Sequence, residues 1–247
     1  MISKRHVEGN WLTHVQLASS RYQDPGLSAL LVALLVMIFL AEPLAFEGFV
    51  LPVAVTGIVV AGLVFLLALG SHHNGALVLV VVSGGIRLLT AAVDFLRGAS
   101  VNEGAEAISA MLALLGVTWV ISRIVFGPGR ITTHRVRGVI VLYLTTAVFF
   151  AYLYRLIAQV VPGAFSGLAF RIGEHGALSP FLYFSLTLLT TVGLGDIAPV
   201  DAFARNLTMF EALLGQLFPA TILARILTLY ADERRRVEQT PDPPLRV

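Results

Sequence analysis

Long runs of apolar residues dominate the chain. A membrane-spanning helix needs about 20 predominantly apolar residues. The pattern predicts six transmembrane helices, because six stretches meet that length: Gly26–Phe46, Gly48–Gly70, Gly75–Leu96, Ala105–Phe126, Gly138–Val161 and Phe203–Tyr230.

A seventh apolar stretch, Ser179–Leu189, is too short to cross a bilayer and lies between the fifth and sixth predicted spans. It leads directly into a glycine-containing loop, Thr190–Asp196. Irregular backbone at membrane depth is tolerated only where protein buries it or where it lines a water-filled path. The predicted fold class is therefore an all-α membrane protein with six spans and a re-entrant helix and loop between the last two.

Composition and charge support a chain that is solvated largely by lipid. Hydrophobic residues make up 57% of the sequence and charged residues 13%, with a mean hydropathy of +0.84. A soluble domain would need more charge to cover its surface. A net charge of +2 is too small to indicate nucleic-acid binding. The chain has no cysteine and no recognisable catalytic set, Walker loop or dinucleotide fingerprint, so we predict that it is not an enzyme.

The basic residues predict the orientation, because short cytoplasmic loops are enriched in lysine and arginine. They concentrate in the amino-terminal segment, in the loop after the fourth span and in the tail, which places both termini in the cytoplasm. We expect a multi-pass protein of the plasma (cell inner) membrane. Its predicted parts are a cytoplasmic or interfacial segment 1–25, a four-helix bundle 26–126, a cytoplasmic linker 127–137, a pore domain 138–230 and a short tail 231–247.

The loop Thr191–Gly195 has the chemistry to replace the hydration shell of a potassium ion, if successive carbonyls point toward one axis. That geometry needs alternating left- and right-handed dihedrals, which Gly193 and Gly195 permit. One chain supplies only one wall, so rotational symmetry is the natural way to close the site. We expect Asp196 at the outer mouth, bonded back to the short helix. The predicted potassium ligands, with no other cofactor, are the carbonyls of Thr191, Val192, Gly193 and Leu194.

These residues resemble the potassium-channel pore family, whose pattern T-V-G-Y-G-D corresponds here to Thr191–Asp196. The resemblance covers residues 138–230. It implies passive potassium conduction through a homotetramer in the bilayer, with no nucleic-acid partner. It also implies that Thr191–Gly195 form the selectivity filter and that the sixth spans line the pore. The expected supporting residues are Thr190, Asp196, the aromatic pair Tyr183 and Phe184, and Glu211.

Leu194 departs from the family pattern, which has a tyrosine at this position. In the family that phenol reaches the second aromatic residue of a neighbouring pore helix, where this chain has Phe184. We therefore expect an apolar contact between Leu194 and Phe184 in place of a polar brace. A filter supported only by an apolar contact could be less selective, so a weakly selective cation channel is one alternative. A non-conducting membrane sensor or scaffold with a pore-like fold is the alternative from another class.

Three residues of the sixth span suggest further roles. Gly215 and Pro219 lie four residues apart and predict the hinge of an inner gate. Alternatively, Gly215 permits close packing against the short helix. Glu211 is an intramembrane carboxyl group and therefore a functional candidate. It can brace the filter, line the cavity and concentrate cations, or make a simple buried hydrogen bond.

The first four spans resemble a voltage sensor in number only. Such a sensor needs several arginines at every third position of one helix, and the fourth span carries only Arg123. We predict weak or no voltage dependence, with gating left to an unidentified regulatory subunit or ligand. We expect Arg87 and Asp94 to form a buried pair, and Arg155 to be a snorkelling anchor near the outer end of the fifth span.

Overall fold

The computed structural model describes residues 26–46, 49, 58–63, 78, 81–86, 89, 93, 103–126, 133–167 and 178–238. Helix α1 covers residues 26–46 and includes the π-helical segment Met37–Ala41 and the α-helical end Glu42–Phe46. The other long helices of the described part are α2 (Glu103–Phe126), α3 (Thr133–Val160), α4 (Ser179–Leu189) and α5 (Ala202–Glu238).

Four of these helices are long and apolar enough to cross a membrane, and they coincide with the first, fourth, fifth and sixth predicted spans. The second and third predicted spans lie mostly outside the described residues, although segments 58–63 and 81–86 within them are helical. The chain is thus a mainly helical membrane protein. The four membrane-capable segments are Gly26–Leu44, Gly104–Arg123, Val136–Val160 and Ala202–Ala224.

Helix α3 lies at the centre of the described structure, where it contacts α2, α4 and α5. Apolar residues of α1 and α2 pack on one part of its surface. Aromatic side chains occupy another, where the ring of Tyr154 lies 5.2 Å from that of Phe184 and 5.6 Å from that of Phe165. Contacts between aromatic rings therefore pack the short helix α4 against α3, in addition to any polar contact between them.

A small antiparallel sheet joins the end of α3 to the start of α5. Strand β1 (Phe165–Ser166) pairs with β2 (Ala198–Pro199), with Phe165 opposite Pro199. The Asp201 carboxylate then caps α5 by accepting hydrogen bonds from the amides of Phe203 (2.8 Å) and Ala204 (3.1 Å). The sequence did not predict this sheet, because two-residue strands carry no detectable alternation.

Helix α5 is longer than predicted. It runs without interruption through Gly215 and Pro219 and ends at Glu238, beyond the predicted boundary at Tyr230. Residues 231–238, which were predicted to belong to the tail, are therefore helical. The physical reason is that arginine and glutamate favour helix and that the next proline after Pro219 is Pro241.

Candidate functional site

The loop after α4 has an alternating backbone. Positive φ angles occur at Thr191 (62°), Gly193 (52°) and Gly195 (78°), so every second residue is left-handed. Such alternation is the backbone pattern that the predicted potassium ligands require, because it can turn successive carbonyls toward one axis. Glycine adopts such angles at little cost. Thr191 is β-branched and strained at positive φ, so its surroundings must hold it in place.

The first part of the loop is anchored to the last carbonyls of α4. The amide of Thr190 donates to Leu186 O (3.0 Å), that of Thr191 to Leu188 O (2.9 Å) and that of Gly193 to Thr187 O (3.0 Å). Terminal carbonyls of a helix have no partner within it. These bonds therefore give hydrogen-bond partners both to the last carbonyls of α4 and to the amides of the loop. They also direct the amides of the loop toward α4 and use none of the carbonyls of residues 191–195.

The side chains of the loop are exposed in the single chain. Val192 is 61% and Leu194 62% accessible, so neither side chain is buried within the chain. Phe184 is 3% accessible, because it lies against Tyr154 and Phe165 of its own chain. The predicted contact between Leu194 and Phe184 is therefore not made within the chain, and Phe184 offers a neighbouring chain almost no surface.

Asp196 closes the outer end of the loop. Its carboxylate interacts with the Tyr183 hydroxyl of α4, which links this end of the loop to the short helix. Gly167, with a φ of 80°, packs against the backbone of Asp196 from the other side. A Cβ atom at Gly167 would lie 2.8 Å from the carbonyl carbon of Asp196 and closer still to its oxygen, so only glycine fits.

Behind α4, Glu211 of α5 is fully buried. The Tyr154 hydroxyl of α3 donates to Glu211 Oε2 at 2.5 Å, and Ser185 Oγ of α4 lies 2.5 Å from Glu211 Oε1. Ser185 Oγ also lies 2.8 Å from the carbonyl oxygen of Ala147 on α3. Glu211 thus bonds α4 from behind. Its burial excludes the alternative in which it lines a water-filled cavity.

A second polar contact holds the last turn of α4. The Tyr143 hydroxyl donates to Leu189 O at 2.7 Å. Gly215 of α5 packs on the same peptide: a Cβ atom there would lie 2.9 Å from the Leu189 carbonyl carbon and 3.0 Å from its Cα. This geometry supports the close-packing interpretation of Gly215. Because Ser185 and Leu189 are four residues apart, as are Glu211 and Gly215, the two contacts are successive turns of one interface.

Other candidate residues lie away from this site. Arg155 is 6% accessible and pairs with Glu106 of α2 at 3.9 Å, so its prediction as a snorkelling anchor was wrong. The pair joins α2 to α3 instead. Arg123 lies in the last turn of α2, with its guanidinium 5.6 Å from the centre of the Trp119 ring. Arg87 and Asp94 lie outside the described residues.

A family model described as "Ion channel" matches residues 138–232, which contain most of α3, all of α4 and the loop, and α5 to residue 232. Over these residues the chain is similar to an ion channel pore-domain family. Within this pore domain, two membrane-capable helices flank the short apolar helix α4. The family indicates transport rather than catalysis. Searches of curated proteins and of solved structures give no match.

Several residues that position the loop of the pore domain were missed from sequence. Tyr143, Ala147 and Tyr154 on α3, Ser185 on α4 and Gly167 after β1 all make the contacts described above. A partial signal was available, because Tyr143 and Tyr154 are three helical turns apart and share one face of α3. A tyrosine hydroxyl inside an apolar span needs a hydrogen-bond partner.

Proposed function

We propose that the protein is the pore-forming subunit of a potassium-selective channel. The single observation that carries the proposal is the alternating backbone of residues 191–195, exposed at the end of a short apolar helix inside a pore domain. Alternation brings the carbonyls of Thr191, Val192, Gly193 and Leu194 to one side. Backbone carbonyl oxygens are the ligands that replace water around potassium in a filter.

The proposed assembly is a homotetramer around the filter axis, embedded in the bilayer. Helix α5 supports it, because it buries one narrow stripe within the chain, formed by Ala204, Thr208, Glu211 and Gly215. The span Ala202–Ala224 is 17% buried, against 50% for Val136–Val160. Exposed apolar residues on the rest of α5 and at Val192 and Leu194 would contact neighbouring subunits or lipid. Symmetric repetition also supplies the missing walls of the filter.

The proposed channel is not voltage-gated, and both of its termini are cytoplasmic. Helix α2 carries one arginine, Arg123, in its last turn. Moving a single elementary charge through 100 mV changes the energy by about 2.3 kcal/mol per subunit, whereas steep voltage dependence uses several such charges in each subunit. An unidentified regulatory subunit or ligand would then set the opening.

A second candidate, a weakly selective cation channel, is favoured by one observation. Leu194 is exposed and Phe184 is buried in its own chain, so the apolar contact expected in place of a polar brace is not made within the chain. A less firmly braced ring of carbonyls would discriminate less between potassium and sodium.

The deciding experiment is recording from the purified protein in planar bilayers, with potassium on one side and sodium on the other. We expect a reversal potential near the potassium equilibrium potential. A reversal potential near zero would instead support the weakly selective channel. The absence of both current and rubidium flux into proteoliposomes, for correctly assembled protein, would favour a non-conducting sensor or scaffold.

A further inference from the structure

The buried contact among Tyr154, Ser185 and Glu211 contains more oxygen–oxygen contacts at hydrogen-bond distance than the two hydroxyl protons can account for. All three side chains are fully or almost fully excluded from solvent. Ser185 Oγ lies within hydrogen-bond distance of two acceptors, Ala147 O at 2.8 Å and Glu211 Oε1 at 2.5 Å. A serine hydroxyl carries one proton and can donate to only one of them.

The charge state of Glu211 decides whether this geometry is favourable. If the carboxyl group is ionised, one of the two short contacts of Ser185 joins two oxygen atoms with no proton between them. If Glu211 carries a proton on Oε1, it donates to Ser185, Ser185 donates to Ala147 O, and Tyr154 donates to Oε2. Every contact is then a hydrogen bond.

Burial leads to the same conclusion. The two side chains that bond Glu211 are a phenol and an alcohol, and both are neutral. Moving an ionised carboxylate out of water is costly unless an opposite charge accompanies it. Arg155, next to Tyr154 in sequence, has its guanidinium 3.9 Å from the Glu106 carboxylate on α2.

We propose that Glu211 is a neutral carboxylic acid in the folded protein and donates its proton to Ser185. The resulting chain of hydrogen bonds runs in one direction, from Glu211 of α5 through Ser185 of α4 to Ala147 O of α3. Glu211 is therefore a positioning residue that fixes α4, and with it the filter, through a proton and not through a negative charge. The protonation rests on the geometry alone, whereas its effect on conduction rests on the proposed channel function.

Infrared difference spectroscopy tests the protonation directly. The spectrum of the wild-type protein minus that of Glu211→Gln, both in lipid at neutral pH, isolates the Glu211 carboxyl group. We expect a carbonyl-stretch band of a protonated acid, which shifts in Ser185→Ala because its hydrogen-bond acceptor is lost. The Glu42→Gln variant is the matched control and should leave this band unchanged. Carboxylate-stretch bands alone in the difference spectrum would overturn the proposal.

A set of substitutions at position 211 tests the positioning role. Glutamine can donate from its amide to Ser185 and accept from Tyr154, so Glu211→Gln should keep the wild-type melting temperature and the wild-type rubidium flux. Leucine fills similar space without these bonds. Glu211→Leu should therefore have a lower melting temperature and a lower rubidium flux than the wild type. A Gln variant as impaired as the Leu variant would contradict the role of the proton. A wild-type protein that shows the acid band but conducts nothing would overturn the channel function and leave the protonation standing.

Discussion

The two sides of α4 differ in how they are held. On its back, the chain closes around Ser185 and the Leu189 peptide with groups from both α3 and α5, and these groups are largely buried. On its front, the loop 191–196 is exposed and alternates between left- and right-handed backbone. At the far end of the loop, the Tyr183 hydroxyl of α4 interacts with the Asp196 carboxylate.

The buried back of α4 therefore supports the site, whereas the exposed front is the surface on which the site acts. Strained backbone persists only when its surroundings over-determine it, and the back of α4 supplies that constraint. In the proposed channel, the front leaves its carbonyls for an ion and its apolar side chains for neighbouring subunits. Substitutions at the front should therefore change conduction with little loss of stability, whereas substitutions at the back should lower stability first.

Replacement of Gly193 by alanine should have the largest effect on conduction. Gly193 has a φ of 52°, and a Cβ atom there meets no atom of the described residues within 4 Å. Left-handed backbone at a non-glycine residue costs about 1–2 kcal/mol, so the monomer should still fold. The added methyl group would disturb the alternation on which the carbonyl geometry depends. We expect loss of potassium current in bilayer recordings.

Gly163 provides a matched control for this experiment. It also has a positive φ, 81°, and no described atom lies within 4 Å of an added Cβ, but it lies in the turn after α3. Gly163→Ala should therefore carry a similar backbone strain and retain its current. Equal loss of current in both variants would contradict a special role of the loop, because backbone strain alone would then explain the loss of current.

Replacement of Gly215 by alanine should lower stability more than the loss of a single hydrogen bond at the back of α4. The new Cβ would overlap the Leu189 peptide, and overpacking costs about 1–3 kcal/mol. We expect a lower melting temperature in detergent together with a reduced current. A simple hinge role predicts a different result, namely an unchanged melting temperature with impaired opening. Gly85→Ala is the control, because a Cβ at that helical glycine meets nothing within 4 Å in the part of the chain that the structure describes.

The helices around the site could be predicted because lipid imposes a strong apolar pattern on the sequence. Four predicted spans coincide with helices, and the short apolar stretch Ser179–Leu189 is helical over the whole predicted range. The left-handed residues at Gly193 and Gly195 also followed from composition, since glycine marks positions that need such angles. Both features depend on local sequence, which is why sequence alone sufficed.

The polar contacts behind α4 could not be predicted, because they depend on how three helices dock. Glu211 was recognised as an intramembrane carboxyl group, but its partners Tyr154 and Ser185 lie 57 and 26 residues away in the chain. The burial of Phe184 likewise depends on Phe165, which the unpredicted sheet positions. Arg155 was misassigned for the same reason, since its partner Glu106 lies on a different helix.

Replacement of Tyr143 by phenylalanine should have a moderate effect at the back. It removes the hydrogen bond to Leu189 O while keeping the ring that lies 5.4 Å from Phe218. Losing one such bond costs about 0.5–1.5 kcal/mol. We expect a modest fall in melting temperature and unchanged relative permeability to potassium and sodium. A variant with wild-type stability but altered selectivity would contradict the assignment of Tyr143 to the support.

Replacement of Tyr183 by phenylalanine is the matched change at the front and should have the smallest effect on stability. It removes the hydroxyl that interacts with the Asp196 carboxylate and leaves the ring in place. Because both groups are exposed, water can replace the lost partner, so the melting temperature should stay at the wild-type value. The outer end of the loop loses a tie to α4, however, so sustained potassium current should decay faster than in Tyr143→Phe. If the two tyrosine variants lose stability equally and conduct equally, the outer end of the loop is supported as firmly as the back of α4, and the contrast drawn from their burial does not hold.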